Sequence, residues 1–165
     1  MKKLNATYKG VVTGLLMIVF SLLFFYVLKL PVNGRNQVII LILFIAGVLW
    51  SLFSFKRNAT ATAGFKDYFS EGFKTFIVGA LLMAIYTFVF YKMNTQILEN
   101  TIKENNILVL RQGDHTPAEI DANADKLRSI FMPMMLAINT MKYLLLGALV
   151  SAVAAGFLTP QKKVQ

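Results

Sequence analysis

The residues able to do chemistry are few. Among 165 residues there is one histidine, His115, and no cysteine. Thiolate nucleophiles, thiolate zinc sites and disulfides are therefore excluded, and a multi-histidine metal site with them. His115 stands beside Asp114 in a stretch that reads as a turn. A metal ligand or a proton relay needs convergent partners, so the expected role is that of a solvated turn residue. Met132, Met134 and Met135 carry thioethers that can hold copper, but their helical spacing reads as packing. No nucleophile, base and orienter come together anywhere in the pattern. The expectation is a protein that is not an enzyme and that takes no cofactor and no metal.

Ionisable groups inside a membrane span are costly and therefore point to function. Four apolar blocks are long enough to be spans: about 11–30, 37–55, 75–91 and 139–158. None of them, with those boundaries, contains Asp or Glu. That argues against proton-driven transport. Lys142 lies three residues inside the fourth block, about 4.5 Å deep at helical rise, and reads as a snorkelling lysine. Tyr8, Tyr26, Tyr86, Tyr91, Tyr143 and Trp50 fall mostly near block ends and read as interfacial anchors.

The elements that position these residues follow from composition. The chain is 56% hydrophobic and only 15% charged, against about 45–50% and 25% in soluble domains. A block of about 20 apolar residues covers the roughly 30 Å hydrocarbon core. The first block follows Lys2, Lys3 and Lys9 as a signal peptide would, but it closes in Lys29-Leu30-Pro31 without a small-residue cleavage site. It reads as a retained span. Pro31-Val32-Asn33-Gly34-Arg35-Asn36 supplies turn residues, so the first two spans form an antiparallel hairpin. The expected class is all-α: an integral membrane four-helix bundle with an extramembrane helical hairpin between spans three and four.

Residues 64–74 place Phe65, Phe69 and Phe73 on one helical face. Lys66, Asp67, Ser70, Glu71 and Lys74 cover the other. This predicts an amphipathic helix lying at the membrane surface; the alternative is the first turns of span three. Residues 92–131 form the only sizeable polar stretch. Leu98, Ile102, Asn105 and Val109 are spaced 4, 3, 4, and Ile120, Ala124, Leu127, Phe131 and Met134 are spaced 4, 3, 4, 3, which are coiled-coil seams. Between them, Thr116-Pro117-Ala118-Glu119 reads as an N-cap, a first-turn proline and a capping box. The third span is thus expected to continue as a helix to about Leu110, turn at Gly113, and return as a short second arm. Pro133 then kinks the approach to span four.

Span four carries two small-residue rows: Gly147, Ser151, Ala155 and Ala148, Ala152, Gly156. Such rows let helix backbones approach closely in lipid. The partner is another span of this chain, a second membrane protein, or a second copy. Lys and Arg are denser in residues 1–10, 56–74 and 159–165 (nine in 36) than in 29–36 and 92–142 (eight in 59). The positive-inside rule then places both termini in the cytoplasm and the hairpin outside. The formal charge of +9 reads as this anchoring, with Lys56, Arg57, Lys66 and Lys74 as a rim for anionic lipid. A nucleic-acid partner would need a basic face on a folded domain, and none is seen.

The layout resembles a family of bacterial membrane proteins, domain-of-unknown-function family 4199. The resemblance rests on four spans, a Phe-rich entry to span three with Gly-Phe-Lys at 64–66 and 72–74, the helical outer loop, Phe131-Met132-Pro133, and Leu146-Gly147-Ala148-Leu149-Val150-Ser151. It covers essentially the whole chain. It implies a bacterial inner-membrane protein and a membrane glycosyltransferase as a candidate partner class, and it assigns no activity. The expected function is a non-catalytic accessory or scaffold subunit. A small transporter or lipid-handling protein is the alternative.

Overall fold

The computed structural model describes residues 5–32, 34–59, 62–112 and 116–160. Asn33, Gly113, Asp114, His115, Lys162 and Lys163 lie outside them. Five α-helices run in order: α1 Ala6–Leu22, α2 Asn36–Lys56, α3 Phe65–Met93, α4 Thr95–Gln112 and α5 Pro117–Leu158. A π turn, Leu23–Val27, continues α1. The first helix with its π turn, α2, α3 and α5 are long and apolar enough to cross a membrane. This is the all-α class with four spans that the blocks predict.

Several boundaries differ from the expected ones. The first span begins at Ala6, five residues early, because Lys9 does not need water; its charge is met inside the protein. Residues 64–74 are not a separate surface helix. Residues 65–74 are the opening turns of the 29-residue α3, which starts just after Gly64 and runs through Gly72 unbroken. The helix path outward breaks at Asn94, which is buried and bonds back to Phe90 O through both its backbone N–H (3.0 Å) and its side-chain amide (2.8 Å). The second arm is not short either. It is the first part of the 42-residue α5, which carries Pro133 in its interior. At 1.5 Å per residue such a helix is about 63 Å long, roughly twice the hydrocarbon thickness.

The chain forms two compact units. The larger holds residues 1–83 and 140–165. There α1 lies against α2 and α3, and α5 lies against α2 and α3. Glycines mark the crossings. A Cβ on Gly10 would sit 2.6 Å from Thr75 O, and one on Gly14 would sit 2.7 Å from Leu82 Cδ1. Gly47 of α2 receives Thr13 of α1. Where residues are this small, backbones come close enough for dispersion to act without a hydrophobic driving force.

The second unit holds residues 84–139, and α4 and the first part of α5 run antiparallel in it. Ile102, Ile120, Ala124 and Phe131 are buried, and Leu98, Val109 and Leu127 are half-buried, so both seams line the contact. Tyr91 packs edge-on against Phe131 at 5.4 Å. Arg128 reaches across to Glu99 at 3.2 Å and to Asp125 at 3.0 Å. The Arg128 guanidinium holds the Glu99 carboxyl below its usual range. The Thr116 N–H donates to Glu119 Oε2 at 2.8 Å, and the Glu119 N–H donates to Thr116 Oγ1 at 3.4 Å. This is a reciprocal capping box. Thr116→Ala is expected to cost about 0.5–2 kcal/mol and to raise hydrogen exchange mainly in residues 116–124. Leu127→Asp should raise it in residues 98–109 as well. Exchange there unchanged by Leu127→Asp would mean that the arms are not zipped.

Candidate functional site

The bundle core holds a polar cluster to which three helices contribute. Lys9 of α1 donates to Glu71 Oε1 of α3 at 3.2 Å, with side chains 3% and 15% exposed. Ser51 of α2 donates to the same Glu71 oxygen at 3.4 Å. The Thr75 hydroxyl lies 2.7 Å from Ser51 Oγ, 3.0 Å from Glu71 O and 3.3 Å from Ala6 O. Its single proton serves one of these at a time. The chain Thr75 to Ser51 to Glu71 leaves each hydroxyl with an acceptor. Thr13 donates to Lys9 O at 2.8 Å, one turn deeper. Ser151 of α5 is fully buried beside Gly72, and its hydroxyl has no hydrogen-bond partner among the described residues.

Counting from the helix ends at 1.5 Å per residue, Lys9, Ser51 and Glu71 lie about 4.5, 7.5 and 9 Å inside. All three helix ends belong to one side, because α1 and α3 start where α2 stops. The cluster is therefore a neutralised charge pair set inside the bundle. A buried pair of this kind is weak evidence for stability but strongly penalises the loss of either partner. It corrects one reading: Glu71 does not join Lys66 and Lys74 on a wet face. Its helix, Phe65–Met93, starts ten residues ahead of the expected span of 75–91, which itself holds no Asp or Glu.

The remaining expected residues divide by burial. Phe65 and Phe73 are exposed and Phe69 is half-buried; Phe65 stacks on Phe69 at 6.0 Å, Phe69 meets Phe73 tilted at 6.2 Å, and Phe73 lies edge-on to the buried Phe76. Lys56, Arg57, Lys66 and Lys74 are exposed. Gly147, Ser151 and Ala155 are buried. A Cβ on Gly147 would sit 2.5 Å from the Phe76 ring, and one on Gly72 would sit 2.5 Å from Ser151 Oγ. The second row is less buried: Ala148 and Ala152 are half-buried, and Gly156 is exposed, with nothing within 4 Å of a Cβ built on it. Lys142 is half-buried, donates to Gln37 Oε1 at 3.1 Å, and sits 5.0 Å above the Tyr143 ring. Tyr91 and Tyr143 are core residues rather than interfacial anchors; Tyr143 packs on Phe44 at 5.2 Å. Met132, Met134 and Met135 are half-buried.

Sequence reasoning missed the pair and the α1 crossing. The signal for the crossing was present, since Gly10-Val11-Val12-Thr13-Gly14 is a G-x-x-x-G motif in an apolar helix. Among the described residues no three His, Cys, Asp or Glu side chains group so as to hold a metal ion. No curated protein and no solved structure matches the sequence. One family does, over residues 8–159, and its description is "Protein of unknown function (DUF4199)". With four spans, a glycine-marked bundle and nearly the full length matched, the chain belongs to the DUF4199 family of proteins of unknown function.

Proposed function

We propose that this protein is a non-catalytic accessory subunit of a bacterial inner-membrane complex, joined to its partner through the far end of α4. One observation carries the reading. Ile107, Leu108 and Leu110 are 50%, 58% and 62% exposed on a helix that is not among the four apolar enough to cross a membrane. Apolar side chains clustered on a segment outside the bilayer mark a protein contact. The seam residues Val109 and Ile120, half-buried and buried, hold that end preorganised, which lowers the ordering cost of binding. Basic density puts the hairpin on the periplasmic side, with both termini cytoplasmic. A membrane glycosyltransferase is the first partner to seek, on the family resemblance; a second copy is the other.

The full chain, drawn from its own membrane in mild detergent, should bring one membrane protein with it. Ile107→Asp with Leu110→Asp should reduce that recovery tenfold or more, at about 1.4 kcal/mol per decade, and leave melting unchanged. Cysteines at Lys66 and Asp121 should label from opposite faces, Asp121 from the periplasm. Undiminished recovery with the double variant would sink the docking surface; labelling from one face would sink the topology.

A small transporter is the second reading, favoured by Glu71 inside α3. It predicts that vesicles holding the purified protein dissipate a pH gradient and that Glu71→Gln stops them. The accessory reading predicts no such flux.

A further inference from the structure

A groove of about 470 Å³ runs between α2 and α5, lined among others by Ile45, Leu49 and Phe53 on one side and Val153, Ala154 and Phe157 on the other. Its volume falls in the range of ligand pockets, about 300–1,000 Å³. Phe157 is 85% exposed at its edge. Every lining residue is apolar, so a ligand body lying there is a hydrocarbon.

Length and charge select the hydrocarbon. From Ile45 to Lys56 is about 16.5 Å along α2, close to half the roughly 30 Å hydrocarbon core and so to one leaflet. Just beyond Ile45 the two helices meet through Phe44 and Tyr143. A partner's transmembrane helix would need a face that continues through both leaflets. At the other end the row Ile45, Leu49, Phe53 continues at helical spacing onto Lys56, and Arg57 lies one turn after Phe53. Both cations are exposed and join no ion pair among the described residues. They stand at the level where a lipid phosphate would stand if its chain filled the groove.

We infer that the α2–α5 groove and the Lys56–Arg57 cations together hold one anionic phospholipid, from the leaflet on the side of the chain termini. One acyl chain lies along Leu49 and Val153, and the phosphate sits on the two cations. This site is independent of the α4 docking surface and shares no residue with it.

The test is native mass spectrometry of the full chain released from micelles containing equal amounts of phosphatidylglycerol and phosphatidylcholine. The expected result is one retained phosphatidylglycerol, preferred by tenfold or more. A cation near the surface contributes about fivefold to anionic-lipid binding, so Lys56→Gln with Arg57→Gln should remove the preference. Ala154→Phe should remove the retained lipid with both cations in place. Val153→Trp, at an exposed position, gives the same test should Ala154→Phe fail to fold. Equal retention of the two lipids by the unaltered chain would overturn the site. So would a preference that survives loss of both cations, or retention that survives both groove-filling variants. A photocrosslinker at Phe53 that captures a protein, including a second copy, would also overturn it.

Discussion

Glu71→Ala is expected to lower the stability of the bundle by about 3–5 kcal/mol, because it leaves the Lys9 ammonium buried without a counter-charge. Lys9 is 3% exposed, with its ammonium against Glu71 of α3, and the same Glu71 oxygen accepts from Ser51 of α2. Removing the carboxylate also strips Ser51 of its acceptor. Lys9→Met alone should cost less, since Glu71 keeps 15% of its side chain exposed. The double variant Lys9→Met with Glu71→Leu takes out both charges while keeping volume, and should melt near the unaltered protein. Replacing a buried pair by apolar residues is often neutral or stabilising. A double-mutant cycle on melting in detergent measures the coupling. A loss under about 1 kcal/mol for Glu71→Ala would show that water reaches the pair, since exposed pairs contribute only about that much.

Gly147→Leu gives the second large effect. Its Cβ alone would fall 2.5 Å from a ring carbon of Phe76, which is itself buried. The Phe76 Cβ would lie only 2.6 Å away as well, and turning the ring does not move that atom, so α5 must move away from α3. Overpacking typically costs about 1–3 kcal/mol, and this site belongs at or above the upper figure. Gly156→Leu is the internal control. It lies nine residues further along the same helix with nothing within 4 Å of its Cβ, and should stay within about 0.5 kcal/mol. Equal melting of the two variants would show that the Gly147 row is not clasped by α3.

The four spans were legible because a soluble domain has no use for unbroken apolar runs of spanning length. The hairpin was legible from two seams and the Thr116–Glu119 box, whose geometry is local to four residues. Asn94 was not, since no Gly or Pro signals the break. The Lys9–Glu71 pair was hidden for a different reason. Each residue sits within two or three turns of a helix start, where a charge ordinarily belongs to the surface. The amphipathic reading of 64–74 then put Phe65, Phe69 and Phe73 on a membrane face and Glu71 on the polar face opposite. The aromatic side chains at Phe65 and Phe73 are indeed exposed, but the charge has turned to a partner inside the bundle, Lys9. Tyr143 was misread likewise, as an anchor by position, when its ring fills the space opposite Phe44.

The same pair has a consequence for the order in which the protein is made. Lys9 and Glu71 are 62 residues apart, and synthesis at about 5–20 residues per second separates them by about 3–12 s. Through that interval α1 and then α2 are available to the membrane while the counter-charge for Lys9 is still being translated. A lysine three residues from the start of its helix can wait with its head at the interface. It can enter the bundle only when α3 brings Glu71 to it. The first helix therefore acts as a deferred joint: inserted first, yet seated only after the third span arrives.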